Sequence, residues 1–288
     1  MKFWQSLSFT ETDQLVPLAR ICEEVGFHGA FVSDHLFHAE KLESKYPYSE
    51  DGSPPFGPET HWPESWAAIS AMAAVTQRLR FTTAVYIAPL RHPLAVAKSV
   101  ATASALSAGR VALGAGVGWI REEYDQLGQD FRTRGRWLDE MIEVMRGVWR
   151  GGWVEHHGEF YDFDRLQMNP APPGPVPVYL GGTSEPAMRR AARNDGWLGS
   201  GDDPDALPGI VDRLRGYRRE AALAEHGFEV IAPVTAPPDP GLVKRLEDAG
   251  VTGMVSYPLL YTIGPGTTLE QKRADLEQYG EGVIARCA

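Results

Sequence analysis

A chain of 288 residues can hold one large α/β domain or two small ones, and a chain of that size buries about three quarters of its unfolded surface. With 43% apolar and 23% charged residues it has the composition of a soluble globule; no apolar run nears the ~18 residues of a membrane span, and Met1-Lys2-Phe3-Trp4 opens into a strand rather than a signal peptide. The net charge of −10 argues against nucleic acid and membrane partners, and two cysteines without metal spacing, Cys22 and Cys287, predict a reduced, cytoplasmic protein.

Short β-rich runs alternate with helical patterns along the chain. Strands are predicted over residues 2–9, 29–33, 79–87, 111–116, 176–180, 196–200, 229–234 and 253–260. Helices are predicted over 13–25, 65–76, 94–107, 134–150, 185–194, 204–225, 240–249 and 269–286. Leu15, Leu18, Cys22 and Val25 step by three and four, as do Leu138, Met141, Ile142, Met145 and Val148, so each set lines one helix face. Gly26 and Gly250 stand where helices must stop. The unbroken apolar run Val176-Pro177-Val178-Tyr179-Leu180 suits a parallel sheet covered by helices. Eight β-then-α units are the count of a (β/α)8 barrel, one α/β domain spanning residues 1–288, with a doubly wound sheet as the structural alternative. Two insertions break the rhythm. Residues 38–64, after strand 2, are predicted to form a wall on the substrate side; residues 153–174, before strand 5, a short covering hairpin.

The fourth strand ends in GRVALGAGVGWIREEYDQLG, with glycines at 114, 116 and 118. A Rossmann loop needs G-x-G-x-x-G and then an apolar helix. Here the spacing is G-x-G-x-G, followed by Trp119 and the charged Arg121, Glu122 and Glu123. The glycines are therefore expected to let a flat ring approach a strand end rather than to cradle a pyrophosphate.

Asp34-His35 follows the second strand, at the barrel face where catalytic groups cluster. An imidazole with pKa near 6.5 moves protons at neutral pH; the alternative is a helix cap or loop packing. Thr82-Thr83-Ala84-Val85-Tyr86 fits either a bulge under a ring or a plain core strand, and Arg91 and His92 fit loop residues held by Pro93. Gly181-Gly182-Thr183-Ser184 opens a helix with Ser184 as N-cap and Pro186 in the first turn. It serves as a phosphate cup, with Arg189, Arg190 and Arg193 adding positive charge, or as a simple turn. The eight histidines show no metal-ligand spacing, and no C-x-x-C or G-x-S-x-G occurs, so neither a metal nor a serine hydrolase is expected.

Several blocks agree. GRVALGAGVGWIREEYDQLG with DFRTRGRWLDEMIEVMRGVW behind it, then GEFYDF and PVPVYLGGTSEPAMRRAARNDGWL, resemble the bacterial luciferase-like flavin barrels. FWQSLSFTETDQLVPLAR and AVYIAPLRHPLAVAK are most similar to the coenzyme F420-dependent oxidoreductase branch. The resemblance implies a luciferase-like (β/α)8 TIM barrel, usually a homodimer, holding a flavin or 5-deazaflavin at the carboxyl ends of its strands. It implies that His35 serves proton transfer and that Asp34 contacts the ring. A non-prolyl cis peptide at Ala84-Val85 would back the ring, Gly116, Gly118 and Trp119 would lie beside it, and Gly181, Gly182, Thr183 and Ser184 would meet the phosphate. Trp119 stands where glucose-6-phosphate dehydrogenases of this group carry a glutamate proton donor, and Ala39 where they carry a tryptophan. A sugar phosphate is therefore not expected, and an apolar or planar substrate is. Their lysine after the sixth strand is missing from Gly199-Ser200-Gly201-Asp202-Asp203, which keeps FMN as the alternative cofactor.

The expected function is hydride transfer between coenzyme F420 and a small organic molecule. One alternative is an FMN-dependent monooxygenase served by a flavin reductase, its dry pocket built from Trp4, Trp62, Trp66 and Trp119. The other is a non-catalytic flavin-binding barrel.

Overall fold

Apolar parallel strands need helices outside them and a filled interior, and the computed structural model, which describes residues 1–224 and 226–287, supplies both. Its strands are β1 (Lys2–Ser6), β2 (Gly29–Val32), β3 (Arg80–Thr83), β4 (Tyr86–Ile87) and β5 (Leu113–Gly116). A hairpin of β6 (Trp153–His157) and β7 (Asp162–Gln167) follows, then β8 (Val178–Gly181), β9 (Gly196–Leu198), β10 (Glu229–Pro233) and β11 (Gly253–Ser256). Outside the hairpin the order is β3-β2-β1-β11-β10-β9-β8-β5-β4, a nine-stranded sheet. β3 and β4 are two halves of one strand: Phe81 bridges to Val111 and Tyr86 pairs with Ala115, so both halves lie on the β5 side and the sheet closes. Nine segments with one strand counted twice make the eight staves of the predicted barrel.

Helices α1 (Leu15–Val25), α2 (Ser65–Ala73), α3 (Pro93–Leu106), α4 (Arg121–Gln126) and α5 (Arg134–Trp149) cover the first half. The second half carries α6 (Glu185–Ala192), α7 (Leu207–Glu220), α8 (Pro240–Ala249), α9 (Leu259–Ile263) and α10 (Leu269–Tyr279). Leu138, Met141, Ile142, Met145 and Val148 of α5 are all buried, as their spacing predicts. α1 and α8 end at Gly26 and Gly250, whose φ of 101° and 103° lie in the left-handed region that glycine enters without a Cβ clash. Inside the barrel Trp4, Phe31, Ala112, Tyr179, Leu198, Ile231 and Val255 form a separate plug. That plug closes the lower end, so any ligand space must open at the carboxyl ends of the strands.

Three departures from the sequence expectations bear on the site. The first and last staves stop at Ser6 and Ser256; Phe9 then takes a φ of 62°, and Pro258 is the N-cap of α9. α7 begins at Leu207 rather than 204, and its predicted end at Glu225 lies outside the described residues. α4 forms in the run expected only to be charged, being too short to show a helical period. The second insertion is the expected hairpin. Glu140 of α5 pins it, accepting from the N–H groups of Phe160 (3.0 Å) and Tyr161 (2.8 Å). Among the described residues no helix is long and apolar enough to cross a membrane.

Candidate active site

A cavity of about 460 Å³ opens where the staves end, within the size range of small-ligand sites. Its floor is the break between β3 and β4, where the Ala84-Val85 peptide bond is cis. Residues after β2 satisfy polar groups that the break frees. Ala84 N–H donates to Val32 O (2.9 Å), Ser33 Oγ donates to Ala84 O (3.0 Å), and Ile87 N–H donates to Asp34 Oδ2 (2.9 Å). Ser8 Oγ in turn lies 2.5 Å from Ser33 Oγ.

The glycines serve this bulge. A Cβ on Gly116 would sit 2.5 Å from Val85 Cγ2, and one on Gly181 would sit 2.6 Å from Val85 Cγ1. A Cβ on Gly114 would fall 1.7 Å from Thr83 O, and one on Gly118 would fall 2.7 Å from Ile87 Cγ2. Alternate residues 83, 85 and 87 thus rest on alternate glycines 114, 116 and 118, the period-two match of neighbouring strands. The glycines make room for the neighbouring strand, and Gly116 and Gly118 also line the cavity beside the bulge.

Asp34 lines the cavity and also has partners that the sequence did not show. Its buried carboxylate is gripped by Arg91 through Nη1 (2.5 Å) and Nη2 (2.8 Å), besides Ile87 N–H. Burial opposes the Arg91 charge, but the bonds to Asp34 outweigh it and raise the guanidinium pKa above the ordinary arginine value. Arg91 also stacks over Tyr86 at 4.3 Å. Asp34 therefore supports the bulge from behind, and Arg91 is not a free loop residue. His92 caps α3, its Nδ1 accepting from Leu94 N–H (3.3 Å).

His35 faces the cavity. Its Nδ1 lies 3.1 Å from Glu123 Oε2, and Glu123 Oε1 accepts from Leu36 N–H at 2.7 Å. The Glu123 side chain is 0% exposed and that of His35 8%. A carboxylate at Nδ1 makes that nitrogen the N–H donor and leaves Nε2 for the cavity. The ring is packed by Trp62 at 4.8 Å, Phe56 at 5.2 Å and Trp119 at 6.1 Å. Glu123 was not singled out from sequence; its one signal was the doubled acid behind Trp119.

The loop over residues 38–64 has no strand or helix, yet Tyr46, Tyr48, Phe56 and Trp62 from it line the cavity. Glu122 holds it down, accepting from Ser44 N–H (3.0 Å) and Ser44 Oγ (2.6 Å), while Arg121 N–H donates to Ser44 Oγ (2.9 Å). Burial works against the Glu122 charge, but these hydrogen bonds prevail and lower its pKa. Of the four tryptophans expected to build a dry pocket, Trp62 and Trp119 line it. Trp4 is in the barrel plug and Trp66 packs on Tyr86 at 5.9 Å, so those two are corrected to core residues.

Gly181, Gly182, Thr183 and Ser184 line the opposite side. Gly182 has φ 110°, and Ser184 Oγ caps α6 by accepting from Ala187 N–H (3.4 Å). The arginines expected to add charge here do not. Arg189 pairs with Glu185 and Glu220, and Arg190 is bidentate on Asp139 (2.7 and 3.0 Å). Arg193 lies 4.0 Å from Asp139. The cation that does line the cavity is Arg134, stacked 3.6 Å from the Phe131 ring centroid and bonded to Phe131 O (2.6 Å). It has no carboxylate partner among the described residues. Burial lowers its pKa, with Arg121 and Arg190 adding to the effect. The described residues hold no group of three or more His, Cys, Asp or Glu placed to bind a metal.

The family described as luciferase-like monooxygenase matches residues 4–249. An uncharacterized protein of Mycobacterium tuberculosis is 38% identical over 288 residues, spanning 99% of this chain and 100% of that protein. The F420-dependent glucose-6-phosphate dehydrogenase of Nakamurella multipartita is 33% identical over 190 residues, 64% of this chain and 51% of that enzyme. The FMNH(2)-dependent dimethylsulfone monooxygenase of Pseudomonas fluorescens is 29% identical over 240 residues, 76% of this chain and 64% of that enzyme. The solved F420-dependent tetrahydromethanopterin reductase of Methanopyrus kandleri superposes with a TM-score of 0.77 at 17% identity, covering 100% of this chain and 99% of that one. The monooxygenase RslO1 of Streptomyces bottropensis gives 0.78 at 17% identity, covering 100% of both chains. These two likenesses establish the fold; the sequence relatives show that the family includes F420- and FMN-dependent enzymes.

Proposed function

We propose that this chain, which belongs to the luciferase-like monooxygenase family, is an oxidoreductase that transfers hydride between coenzyme F420 and a small organic substrate. The observation that carries this reading is His35, held by buried Glu123 and facing a cavity floored by the cis Ala84-Val85 bulge. The residues present fit such a cofactor. Ala84 and Val85 offer the flat apolar surface a tricyclic ring needs, backed by the notches at Gly116 and Gly181. Gly182, Thr183 and Ser184 offer the start of α6, and Arg134 an unpaired charge, to an anionic side chain.

When bound, the 5-deazaflavin supplies the carbon that exchanges hydride, chemistry that belongs to the cofactor. His35 Nε2 gives or takes the substrate proton, and Glu123 keeps the imidazole oriented. The aromatic residues above it exclude water and fix the substrate close to His35. Asp34 and Ser33 keep the bulge in place. We further read the chain as a single domain over residues 1–288, acting as a cytoplasmic homodimer.

Titration of the purified apoprotein with F420 and with FMN tests this. Tight F420 binding is expected; micromolar FMN binding without F420 binding refutes it. One observation favours a second reading, an FMN-dependent monooxygenase supplied by a flavin reductase: the end of β9, Gly199-Ser200-Gly201-Asp202-Asp203, offers no lysine to a long anionic tail. Oxygen consumption with reduced FMN separates the two. His35→Ala separates both from a non-catalytic barrel, since loss of turnover with retained cofactor binding excludes the latter.

A further inference from the structure

The rings above His35 form one continuous belt. Tyr46 meets Trp119 at 5.3 Å, Trp119 meets Phe56 at 6.3 Å, and Phe56 meets Trp62 at 5.0 Å. Phe56 also stacks on Phe9 at 6.0 Å, and Phe9 meets Tyr261 at 5.9 Å. All six rings line the cavity. They come from four segments far apart in sequence: the turn after β1, the loop over 38–64, the residue following the β5 glycines, and α9. No local pattern brings them together, so the belt is a product of the fold.

Of the charged groups around the belt, Asp34 and His35 are already partnered and Arg134 is not. Asp34, His35 and Arg134 are the charged or titratable side chains, tyrosines aside, among the residues that line the cavity. Asp34 is held by Arg91, and the Glu123 behind His35 is held by Nδ1 and by Leu36 N–H. Arg134 lies on Phe131 with its Nε 3.4 Å from Gly118 O, and no carboxylate among the described residues pairs with it. An anion entering the belt would find only Arg134, which the cofactor reading gives to the anionic side chain, and a cation would meet ring faces but no free carboxylate. A neutral ring would gain edge and face contacts with several aromatic partners.

We propose that the belt selects a neutral, ring-bearing substrate, its ring packed among Tyr46, Phe56 and Trp62 and its one hydrogen-bonding oxygen facing His35 Nε2. The oxygen at the reacting carbon rests on the oxidoreductase reading; the ring preference does not.

Calorimetric titration of the apoprotein and of the cofactor-loaded protein with four probes tests the belt: acetophenone, acetone, glucose 6-phosphate and choline. Acetophenone is expected to bind at least about tenfold more tightly than acetone, the gain of an added buried ring. Choline in either form, and glucose 6-phosphate in the cofactor-loaded protein, are expected to bind more weakly than acetophenone. Phe56→Ala and Tyr46→Leu are each expected to weaken acetophenone by about tenfold, with the acetone affinity and the cofactor titration little changed. Tighter binding of the phosphate to the cofactor-loaded protein, or of choline to either form, overturns the proposal, as does an acetophenone affinity that neither substitution alters. If neither F420 nor FMN binds, the function reading fails by itself, because the apoprotein titration still decides the belt.

Discussion

Gly116→Ala isolates the contact on which the cavity floor depends. Gly116 is not among the glycines with positive φ, so alanine meets no backbone penalty and the cost is the contact alone. The new Cβ would lie 2.5 Å from Val85 Cγ2 and 3.2 Å from Val85 Cβ, whereas carbons pack best at about 3.5–4.0 Å. Val85 cannot turn away, because its other methyl already fills the notch at Gly181, where a Cβ would be 2.6 Å from Cγ1. The bulge must therefore move by about 1 Å, and overpacking of this kind costs about 1–3 kcal/mol. At roughly 2 °C per kcal/mol for a domain of this size, Tm should fall by about 2–6 °C.

Val85→Ala removes two methyl groups, about 1.6 kcal/mol by itself, and also removes the obstruction. The single costs would sum to about 3–5 kcal/mol, whereas the double variant should lose about 1.6, a coupling of roughly 1–3 kcal/mol. Urea denaturation of the four proteins measures the cycle. If the two single effects add to within about 0.5 kcal/mol, the notch argument is wrong.

Three further substitutions follow from the site. Glu123→Gln keeps the shape but loses the charge that orients His35, so kcat should fall by about 10- to 100-fold with cofactor affinity retained; an unchanged kcat would remove Glu123 from the mechanism. Glu122→Ala frees Ser44 and with it the loop carrying Tyr46, so KM should rise about fivefold with kcat changed less than twofold; the reverse split would refute the clasp. Burial, with Lys2 and Arg80 beside it, pushes the His28 pKa down to about 4, so the folded protein holds this imidazole neutral. Its unfolded value near 6.5 means that stability is complete above pH 6.5 and declines as pH falls from 6.5 towards 4. His28→Gln should flatten the pH dependence of the urea midpoint in that window, and an unaltered slope would count against it.

The barrel was legible because strand and helix periods repeat eight times, and each repeat tests the last. The cavity residues were legible in kind: Asp34, His35, Ala84, Val85, Gly116, Gly118, Gly181 and Gly182 all line one space. Their partners were not. Arg91 meets Asp34 across 57 residues, Glu123 meets His35 across 88, and Glu122 meets Ser44 across 78. A local pattern carries no information about such pairings. It shows that a carboxylate is present and not which cation or N–H it faces. The same gap misassigned Arg189, Arg190 and Arg193, whose carboxylate partners lie on α5, α6 and α7, and passed over Arg134, which has none among the described residues. α4 was missed for a different reason: six residues are under two turns, too few to show a period.

One short segment joins floor and wall. Within ten residues, β5 and α4 supply Gly114, Gly116 and Gly118 under the bulge, Trp119 in the belt, Glu122 on the loop and Glu123 on His35. β5 is bonded on both sides to neighbouring staves, and four residues that include Trp119 join it to α4. Displacing the bulge against Gly116 must therefore also shift Trp119 and Glu123, whereas loosening the belt at Tyr46 leaves the bulge in place. Gly116→Ala should weaken cofactor and acetophenone binding together, and Tyr46→Leu acetophenone alone. This asymmetry follows from β5 lying beneath both subsites while the loop over residues 38–64 reaches one.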